Sequence, residues 1–478
     1  MKKSTKIILW SLLICLLLGA AGYGGWTWYD NNVDRSGWRE KDGVTMYADF
    51  HGKPITGWLE LEGSRYYFDG DFSLHTGWLR EDGNTYYADP DGKLHTAWLE
   101  LPEGTYYLGS DGILVTGWQD IDSLRYYFDG EGRMHTGWLT LDTATHYLRE
   151  DGSLHTGWLE WENARYYLDE SGSPVTGWQL LEEKNYCFDE NGRMLTGWLE
   201  TGDSTFYLDE DGVMVTGWQE LDGLSRYFCA DGTLGSGWQE ADGTRFYLHE
   251  DGTRYTGWLQ DGEYRYYFHP DGSPATGPVE IDGATEYFTP KGIWVLLVNP
   301  WNPLRSDYDP ELIQTEDGHW VSARCAEALQ QMMDDCEAAG LHPGFSSTYR
   351  NTAEQALIWR NYVQRYMDQG YDEGQANAMT AMYVAVPGTS EHHTGLAMDI
   401  VGYDYLYGSY PGSTMAVQAW LAEHCWEYGF ILRYTADKTA ITGFAPETWH
   451  FRYVGTEVSM DMKDSGLCLE EYLGAVHD

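Results

Sequence analysis

Basic residues are scarce in this sequence. Its 478 residues include 30 lysines and arginines against 75 aspartates and glutamates, which gives a formal charge of −45 at neutral pH. A chain of this sign repels nucleic acid and bare phosphate polymers such as unsubstituted teichoic acid. One explanation of the acidity is a cationic ligand, which such a chain would tolerate or attract. The other is solubility, since a secreted array of repeats can be acidic for that reason alone. The charge therefore excludes nucleic acid as a partner and leaves both explanations of the acidity open.

Cysteine is also rare. The chain has seven cysteines, and none forms a Cys-x-x-Cys pair. Cys325 and Cys336 fall on one predicted helix, where eleven residues at 1.5 Å each separate them by ~16 Å, too far for a disulfide. An exported protein could pair Cys336 with Cys425, but the sequence alone assigns no disulfide.

One apolar run stands near the N-terminus. Three lysines in the first six residues precede an uncharged stretch from Ile7 to Gly22, a pattern typical of export. The small residues Gly19-Ala20-Ala21 would allow cleavage, whereas Ile7 to Trp26 just reaches the ~20 residues of a membrane-spanning helix. We predict a signal peptide or membrane anchor over residues 1–29. A retained anchor, with the lysines inside, is favoured, and the rest of the chain is expected outside the cell.

A repeat of 20 residues occupies more than half of the chain. Tryptophan recurs without insertion or deletion at positions 38, 58, 78, 98, 118, 138, 158, 178, 198, 218, 238 and 258. Each unit combines Gly-Trp, a turn such as Asp-Gly, and an aromatic strand such as Arg65-Tyr66-Tyr67-Phe68, which together indicate a β-hairpin. One hairpin alone is marginal, but stacked hairpins share a core. Residues 30–290 are therefore predicted to form an all-β solenoid of hairpins.

The Gly-Trp, Tyr-Tyr and Asp-Gly pattern resembles the choline-binding and glucan-binding repeats of Gram-positive cell-wall proteins. That resemblance implies ligand cages between successive hairpins and a cell-wall polymer as partner, either choline-substituted teichoic acid or a glycan. Aromatic faces attract a quaternary ammonium ion, and they also stack on sugar rings. The same aromatic residues would in any case form the solenoid core. The candidate cage residues are Trp58, Tyr66, Tyr67, Trp78, Tyr86, Tyr87 and Trp98.

Two motifs near the C-terminus combine metal-binding and acid–base side chains. The first runs from Ser390 to Asp399, and the second is Glu447-Thr448-Trp449-His450. A catalytic zinc needs three protein ligands, an open position for water and a base. His392, Asp399 and His450 can supply the ligands, and Glu447 the base. Arg350 can hold a substrate carboxylate or a developing oxyanion.

The pattern S-x-H-x-x-G-x-A-x-D followed by E-x-W-H resembles the VanY-like D-alanyl-D-alanine carboxypeptidases of bacterial cell walls. Further matches extend over residues 295–475, among them Tyr349-Arg350 and the run from Tyr428 to Tyr434. The resemblance implies Zn²⁺ on the three ligands, Glu447 as general base, and substrate contacts from Arg350, Gln355 and Ser390. The sequence departs from the family at Thr348 and Val386, which could alter substrate choice. His393 is expected not to bind the metal.

The C-terminal part, residues 291–478, is predicted to be an α+β domain. Apolar residues recur at helical spacing over residues 321–339, 352–369 and 413–428. Residues 396–401, 430–434 and 449–454 are predicted strands. Asp399 and His450 would then lie on or beside neighbouring strands, which suits a rigid metal site.

The favoured function is that of an exported zinc carboxypeptidase that removes the terminal D-alanine from peptidoglycan stem peptides and is held at the wall by its repeats. An L,D-carboxypeptidase or an endopeptidase of the same fold remains open, because the pocket walls that discriminate them are not motif residues. A wall-binding adhesin with an inactive peptidase scaffold is disfavoured, because all three ligands, Glu447 and Arg350 are present.

Overall fold

The structure is a computed structural model that describes residues 34–403 and 411–477. The predicted signal peptide or anchor at residues 1–29 lies outside these ranges. Within them, none of the helices is long and apolar enough to cross a membrane. The chain divides into two compact units, one of Met1–Thr201 with Tyr207–Val215 and the other of Gly202–Phe206 with Thr216–Asp478.

The repeats form antiparallel two-stranded hairpins, as the sequence predicts. Their strands, β1 to β26, are Gly37–Lys41, Val44–Ala48, Gly57–Leu61, Ser64–Phe68, Gly77–Glu81, Asn84–Ala88, Ala97–Leu101, Gly104–Leu108, Gly117–Ile121, Leu124–Phe128, Gly137–Leu141, Ala144–Leu148, Gly157–Trp161, Ala164–Leu168, Gly177–Leu181, Lys184–Phe188, Gly197–Thr201, Ser204–Leu208, Gly217–Leu221, Leu224–Phe228, Gly237–Ala241, Thr244–Leu248, Gly257–Asp261, Tyr264–Phe268, Gly277–Ile281 and Ala284–Phe288.

Two-residue turns close these hairpins. In the first hairpin Asp42 and Gly43 both have positive φ, 54° and 77°. Positive φ at both central residues is the mark of a type I′ turn, whose twist matches that of the two strands and which favours Asp-Gly. The Asp-Gly signal in the sequence therefore fixes both the hairpin and its register, in which Trp38 lies opposite Tyr47.

Successive hairpins share their aromatic side chains. The ring of Trp58 lies 5.1 Å from that of Tyr67 in its own hairpin and 4.8 Å from that of Tyr86 in the next. The backbone N–H of Leu94, after that next hairpin, donates to the carbonyl of Arg65 at 2.8 Å. Because each hairpin completes the core of its neighbour, the array is stabilised by stacking rather than by any single unit.

The C-terminal region is an α+β domain around a four-stranded sheet of order β29-β30-β32-β31. A small hairpin, β27 and β28, precedes it. The strands β27 to β32 are Leu312–Gln314, Trp320–Ser322, Pro343–Ser347, Ala397–Gly402, Phe430–Tyr434 and Glu447–Tyr453. The described helices, α1 to α7, are Ala326–Ala338, Thr352–Asp368, Glu373–Ala381, Pro411–His424, Thr439–Thr442, Thr456–Ser465 and Leu469–Tyr472, with 3₁₀ turns at Glu391–Thr394, Cys425–Tyr428 and Ala436–Lys438.

The predicted elements correspond closely to these, with one correction. The helix predicted to begin at Val321 begins at Ala326, because Trp320–Ser322 pairs as a strand with Leu312–Gln314. Val321 is fully buried there, so its apolar character serves the strand. Strands β27, β28 and β29 and helices α3, α5, α6 and α7 were not predicted. The apolar periodicity of α3, Glu373–Ala381, is weak.

The hydrophobic core of this domain is formed mainly between helix α1 and the four-stranded sheet. Cys325, Cys336 and Cys425 are fully buried in it. The six cysteines of the described residues are free thiols, so the disulfide considered between Cys336 and Cys425 is not formed. Burial raises the pKa of the Cys325 thiol to about 12, which leaves it protonated and unreactive.

The last hairpins share a hydrophobic core with the sequence that follows them in the same unit. Leu259, Tyr266 and Phe268 pack in one cluster with Ile431 and other residues of the C-terminal domain. The hydroxyl of Tyr453 donates to Glu263 at 2.7 Å, and the hydroxyl of Tyr264 accepts from the backbone N–H of Glu457 at 2.9 Å. These contacts suggest that the folding unit of the C-terminal domain begins before residue 291.

We therefore expect a fragment of residues 291–478 to be much less stable than a fragment of residues 217–478. Removing the hairpins uncovers several buried side chains, each worth about 1.5–3 kcal/mol. For a domain of this size that loss corresponds to a fall in Tm of about 10 °C or more. Thermal unfolding of the two fragments, followed by circular dichroism, measures the difference. Equal melting temperatures would show that the hairpins contribute nothing to the domain.

Candidate metal centre

Three side chains that could bind a metal ion converge at the centre of the sheet. Asp399 on β30 and His450 on β32 lie on neighbouring strands, as the sequence predicts, and the structure pairs them in register. His392 lies in the 3₁₀ turn before β30. One donor atom from each residue lies within 4.8 Å of the other two. The nearest carboxylate oxygens of Asp399 lie 3.0 Å from Nδ1 of His450 and 3.4 Å from Nε2 of His392.

The imidazole rings of His392 and His450 turn different nitrogens toward Asp399. Nδ1 of His392 lies 2.7 Å from the carbonyl oxygen of Thr348, so this nitrogen carries the proton and Nε2 is left as the donor atom. Nε2 is buried and has no well-aligned hydrogen-bond partner among the described residues. His450 is turned the other way, with Nε2 3.3 Å from Glu391 and Nδ1 facing Asp399. Two imidazole nitrogens and a carboxylate form a donor set that fits zinc.

Glu391 is a site residue that the sequence reasoning missed. It precedes His392 in the 3₁₀ turn Glu391–Thr394. Its carboxylate is fully buried and accepts from Arg433 and Arg452, each at 2.9 Å. Burial alone would raise the pKa of Glu391, but the two guanidinium groups hold it well below its usual range. An ionised carboxylate therefore accepts the Nε2 proton of His450, which orients the ring.

We expect Glu391→Gln to weaken zinc binding by about 10–100-fold, the usual effect of losing the partner of a metal-bound histidine. Glu470→Gln is the matched control. Glu470 pairs with the same Arg433, at 2.6 Å, yet the structure shows no contact between it and His450. Both variants should lose stability, because each weakens a buried ion pair. Competition with a chelator gives the zinc affinity. Equal zinc affinities in the two variants would show that Glu391 acts only on the fold.

Glu447 lies beside the metal ligands without being one of them. It begins β32, and its carboxylate lies 3.7 Å from Nδ1 of His450. Burial, assisted by the negative charge of Asp399, raises the pKa of Glu447 to about 7 against the opposing effect of His450. A carboxyl group with a pKa near neutrality can both accept and return a proton. A bound dication would favour its ionised form.

A cavity of about 190 Å³ is bordered by Arg350 together with Glu447 and the three predicted metal ligands. Arg350 is mostly buried, and one of its Nη atoms lies 3.9 Å from Asp399. The other donates to Gln355 at 2.7 Å, and the amide of Gln355 donates to the carbonyl of Ala385 at 2.7 Å. Gln355 thus holds the guanidinium in place, and Ser390 is buried in the pocket wall. The structure therefore brings all the predicted substrate-contacting residues to one cavity.

His393 takes a different place from its neighbour. Its Nε2 accepts from the backbone N–H of Gly388 at 3.1 Å, and its Nδ1 donates to the carbonyl of Arg350 at 2.6 Å. Both ring nitrogens are therefore occupied by the backbone. The residue ties the loop before the 3₁₀ turn to the segment that carries Arg350, which is a structural role.

The candidate cage residues of the repeats also come together. Trp78 contacts Tyr87 of its own hairpin at 5.1 Å and Tyr106 of the next at 4.9 Å, as Trp58 contacts Tyr67 and Tyr86. Tyr66 and Tyr86 are buried. These two tyrosines therefore belong to the core and also line the spaces between successive hairpins. Trp98 forms the same contacts one repeat later.

Models of known protein families match both parts of the chain. The model of VanY, D-alanyl-D-alanine carboxypeptidase, matches residues 318–456. Bifunctional D-Ala-D-Ala dipeptidase and D-Ala-D-Ala carboxypeptidase VanXYC of Enterococcus gallinarum is 32% identical over 185 residues, which are 37% of this chain and 91% of that protein. The chain belongs to the VanY D-alanyl-D-alanine carboxypeptidase family. The VanY match includes the three predicted ligands, Glu447 and Arg350.

Two further relatives resemble the VanY part. A D-alanyl-D-alanine carboxypeptidase of Enterococcus faecalis (strain ATCC 700802 / V583) is 44% identical over 179 residues, 37% of this chain and 65% of that protein. The chain thus spans slightly less than two thirds of that relative. The crystal structure of a variant of the vancomycin-resistance D,D-pentapeptidase VanY in complex with Zn(II) is 43% identical, covers 37% of this chain and 97% of its own, and has a TM-score of 0.35.

The repeats match two other models. The model of a choline-binding repeat matches residues 115–151 and 175–216. The model of a cell wall binding repeat matches residues 56–71, 76–94, 156–173 and 256–273. These matches fall within the hairpin array, in agreement with the resemblance seen in the sequence.

Proposed function

We propose that this protein is a zinc-dependent D-alanyl-D-alanine carboxypeptidase that trims peptidoglycan stem peptides and is held at the cell wall by its repeats. The observation that carries the proposal is the convergence of His392, Asp399 and His450 with Glu447 and Arg350 around one cavity. Family membership supports the same reaction. The proposed site of action is the extracellular cell wall, with the segment before residue 30 as signal peptide or anchor.

The residues of the site divide the reaction between them. Bound Zn²⁺ supplies Lewis acidity that polarises the scissile carbonyl and lowers the pKa of water. Glu447 takes the proton of the attacking water and returns it to the leaving amine of D-alanine. Arg350, fixed by Gln355, binds the substrate carboxylate or the developing oxyanion with its planar guanidinium group. Asp399 stays ionised, because its contacts with the two histidines outweigh burial and hold its pKa well below the usual range.

The choice of substrate is tested with purified stem peptides. A pentapeptide ending in D-Ala-D-Ala, the corresponding tetrapeptide and a cross-linked dimer are incubated with the zinc-loaded protein and analysed by mass spectrometry. Loss of one D-alanine from the pentapeptide alone supports the proposal. Loss from the tetrapeptide would indicate an L,D-carboxypeptidase, and cleavage of the dimer an endopeptidase. Absence of cleavage would favour an inactive scaffold on a wall-binding protein.

For the repeats we propose binding of a cell-wall polymer through the aromatic spaces between hairpins. Tryptophan and tyrosine faces attract a quaternary ammonium group, and the acidic chain favours a cation. A pull-down of the full chain with purified cell walls, in the presence and absence of choline, tests this. Release by choline supports a choline-bearing polymer such as substituted teichoic acid. Retention despite choline would indicate a glycan, and absence of binding would leave the array as a spacer.

A further inference from the structure

The repeats differ at one position that faces the tryptophan. The side chain seven residues after each repeat tryptophan lies on the same face of the hairpin, next to the cross-strand partner of that tryptophan. This position holds arginine in five repeats, at Arg65, Arg125, Arg165, Arg245 and Arg265, and a small residue such as Thr45, Thr85 or Thr145 in others. The choice between arginine and a small residue changes what occupies the tryptophan face.

Where the residue is arginine, its guanidinium covers the ring. The Cζ atom lies 4.4 Å from the ring centre of Trp58 for Arg65 and 4.6 Å from that of Trp158 for Arg165. It lies 3.8 Å from that of Trp258 for Arg265. These distances are those of a cation–π contact. The protein's own cation therefore occupies the position on the ring that an external ammonium group would need.

The same arginine also fills the space beside the ring. Nη1 of Arg65 donates to the backbone carbonyl of Asp111 at 3.2 Å, and Nη1 of Arg165 to that of Asp211 at 3.3 Å. Each acceptor lies 53 residues after the tryptophan of its repeat, in the loop two hairpins further along. The arginine thus spans the space from the ring to this loop.

Where the residue is threonine, three repeats have an open cavity at the equivalent place. The cavity at Trp38 has a volume of about 530 Å³, that at Trp78 about 620 Å³ and that at Trp138 about 500 Å³. Each is bordered by the tryptophan, the threonine seven residues on and the tyrosine of the next hairpin. Each also reaches the residue 53 positions after the tryptophan, in turn Asp91, Glu131 and Asn191.

Cations of the loop border two of these cavities, and Arg133 also makes a side-chain hydrogen bond with Tyr106 in the cavity at Trp78. Lys93 is paired with Asp91 at 2.8 Å, and Arg133 is paired with Glu131, so these cations are held at the loop. Arg80 also borders the cavity at Trp78. The cavity at Trp38 is also bordered by Arg39 and Glu40.

We infer that the repeats form two functional classes, open sites at Trp38, Trp78 and Trp138 that bind a small quaternary ammonium group, and closed sites in which the protein's own arginine replaces it. This inference rests on the proposed binding function of the repeats and specifies which of them carry it. In the repeats that have arginine or threonine seven positions after the tryptophan, this residue decides the class. The ring of Trp218, with Ser225 at that position, is covered instead by Arg254, whose Cζ atom lies 4.3 Å from the ring centre. One substitution should therefore close an open site, and the reverse substitution should open a closed one.

The test is a calorimetric titration of the full chain with choline, and with the uncharged analogue 3,3-dimethylbutan-1-ol. Thr85→Arg should lower the choline stoichiometry by one site, and Arg65→Thr should raise it by one. Thr201→Arg, at an exposed threonine at the end of its strand, is the matched control and should leave the stoichiometry unchanged. The uncharged analogue should bind at least ten times more weakly, because it lacks the charge that the aromatic faces attract.

The outcomes separate the inference from the function on which it rests. Opposite changes of one site in Thr85→Arg and Arg65→Thr support the inference. Saturable choline binding with the same stoichiometry in both variants would overturn the two classes while leaving the repeats as a choline-binding array. Wild-type protein that binds cell walls but not choline would overturn the ligand assignment. Wild-type protein that binds neither would overturn the binding function itself, and the inference with it.

Discussion

A Glu447→Gln variant is expected to fold, to bind zinc like the wild type and to lose about 10²–10⁴-fold in kcat, the usual effect of removing a general base. Glutamine keeps the shape and the hydrogen bonding of the side chain but cannot take the proton of the attacking water. Glu447 is not one of the three clustered ligands, so its replacement leaves the metal site intact. Release of D-alanine from a D-Ala-D-Ala stem peptide and zinc content measured on the same sample check both parts.

The matched control for this variant is Glu337→Gln, at an exposed glutamate of helix α1. It makes the same chemical change far along the chain from the motif and should retain wild-type turnover. If Glu447→Gln also retained wild-type turnover, another group would be the base. If it lost its zinc, Glu447 would instead be required for binding the metal.

The second large effect is expected in metal binding. His450→Ala removes one of three ligands, and the protein should lose its zinc during dialysis that leaves the wild type loaded. His393→Ala should keep its zinc, because both ring nitrogens of His393 are engaged by backbone groups of Gly388 and Arg350. Metal analysis by mass spectrometry compares the two purified variants.

The pair of histidine variants carries its own control. Both replace a buried histidine by alanine, so a general loss of stability would affect both, and thermal unfolding records it. Zinc lost from His393→Ala and kept by His450→Ala would overturn the ligand assignment. Zinc lost from both without unfolding would mean that the loop held by His393 is needed to position His392.

Much of the fold could be predicted because the signals are local. The Asp-Gly turns specify a type I′ geometry, and a period of 20 residues places every tryptophan in the same register. Strands β30 and β32 were predicted from short apolar runs, and their pairing puts Asp399 opposite His450. The helix start at Val321 was predicted wrongly because a buried strand and a buried helix end share the same apolar residues.

The features that were not predicted depend on contacts distant in sequence. A 3₁₀ turn brings the carboxylate of Glu391 next to His450, and Arg433 and Arg452 stabilise it there. Those arginines come from strands more than 40 residues away, and no spacing rule connects them. The contact of Arg65 with the ring of Trp58 also depends on a distant residue, because Arg65 donates to the backbone carbonyl of Asp111, two hairpins further along the chain.

The most direct measurement of the central claim is mass spectrometry of a D-Ala-D-Ala stem pentapeptide incubated with the zinc-loaded protein and, in parallel, with Glu447→Gln. The account predicts that the wild type releases one terminal D-alanine and leaves the resulting tetrapeptide intact, while the variant leaves the pentapeptide almost unchanged. A pentapeptide that stays intact with the zinc-loaded wild type, or is trimmed equally by both proteins, would contradict it.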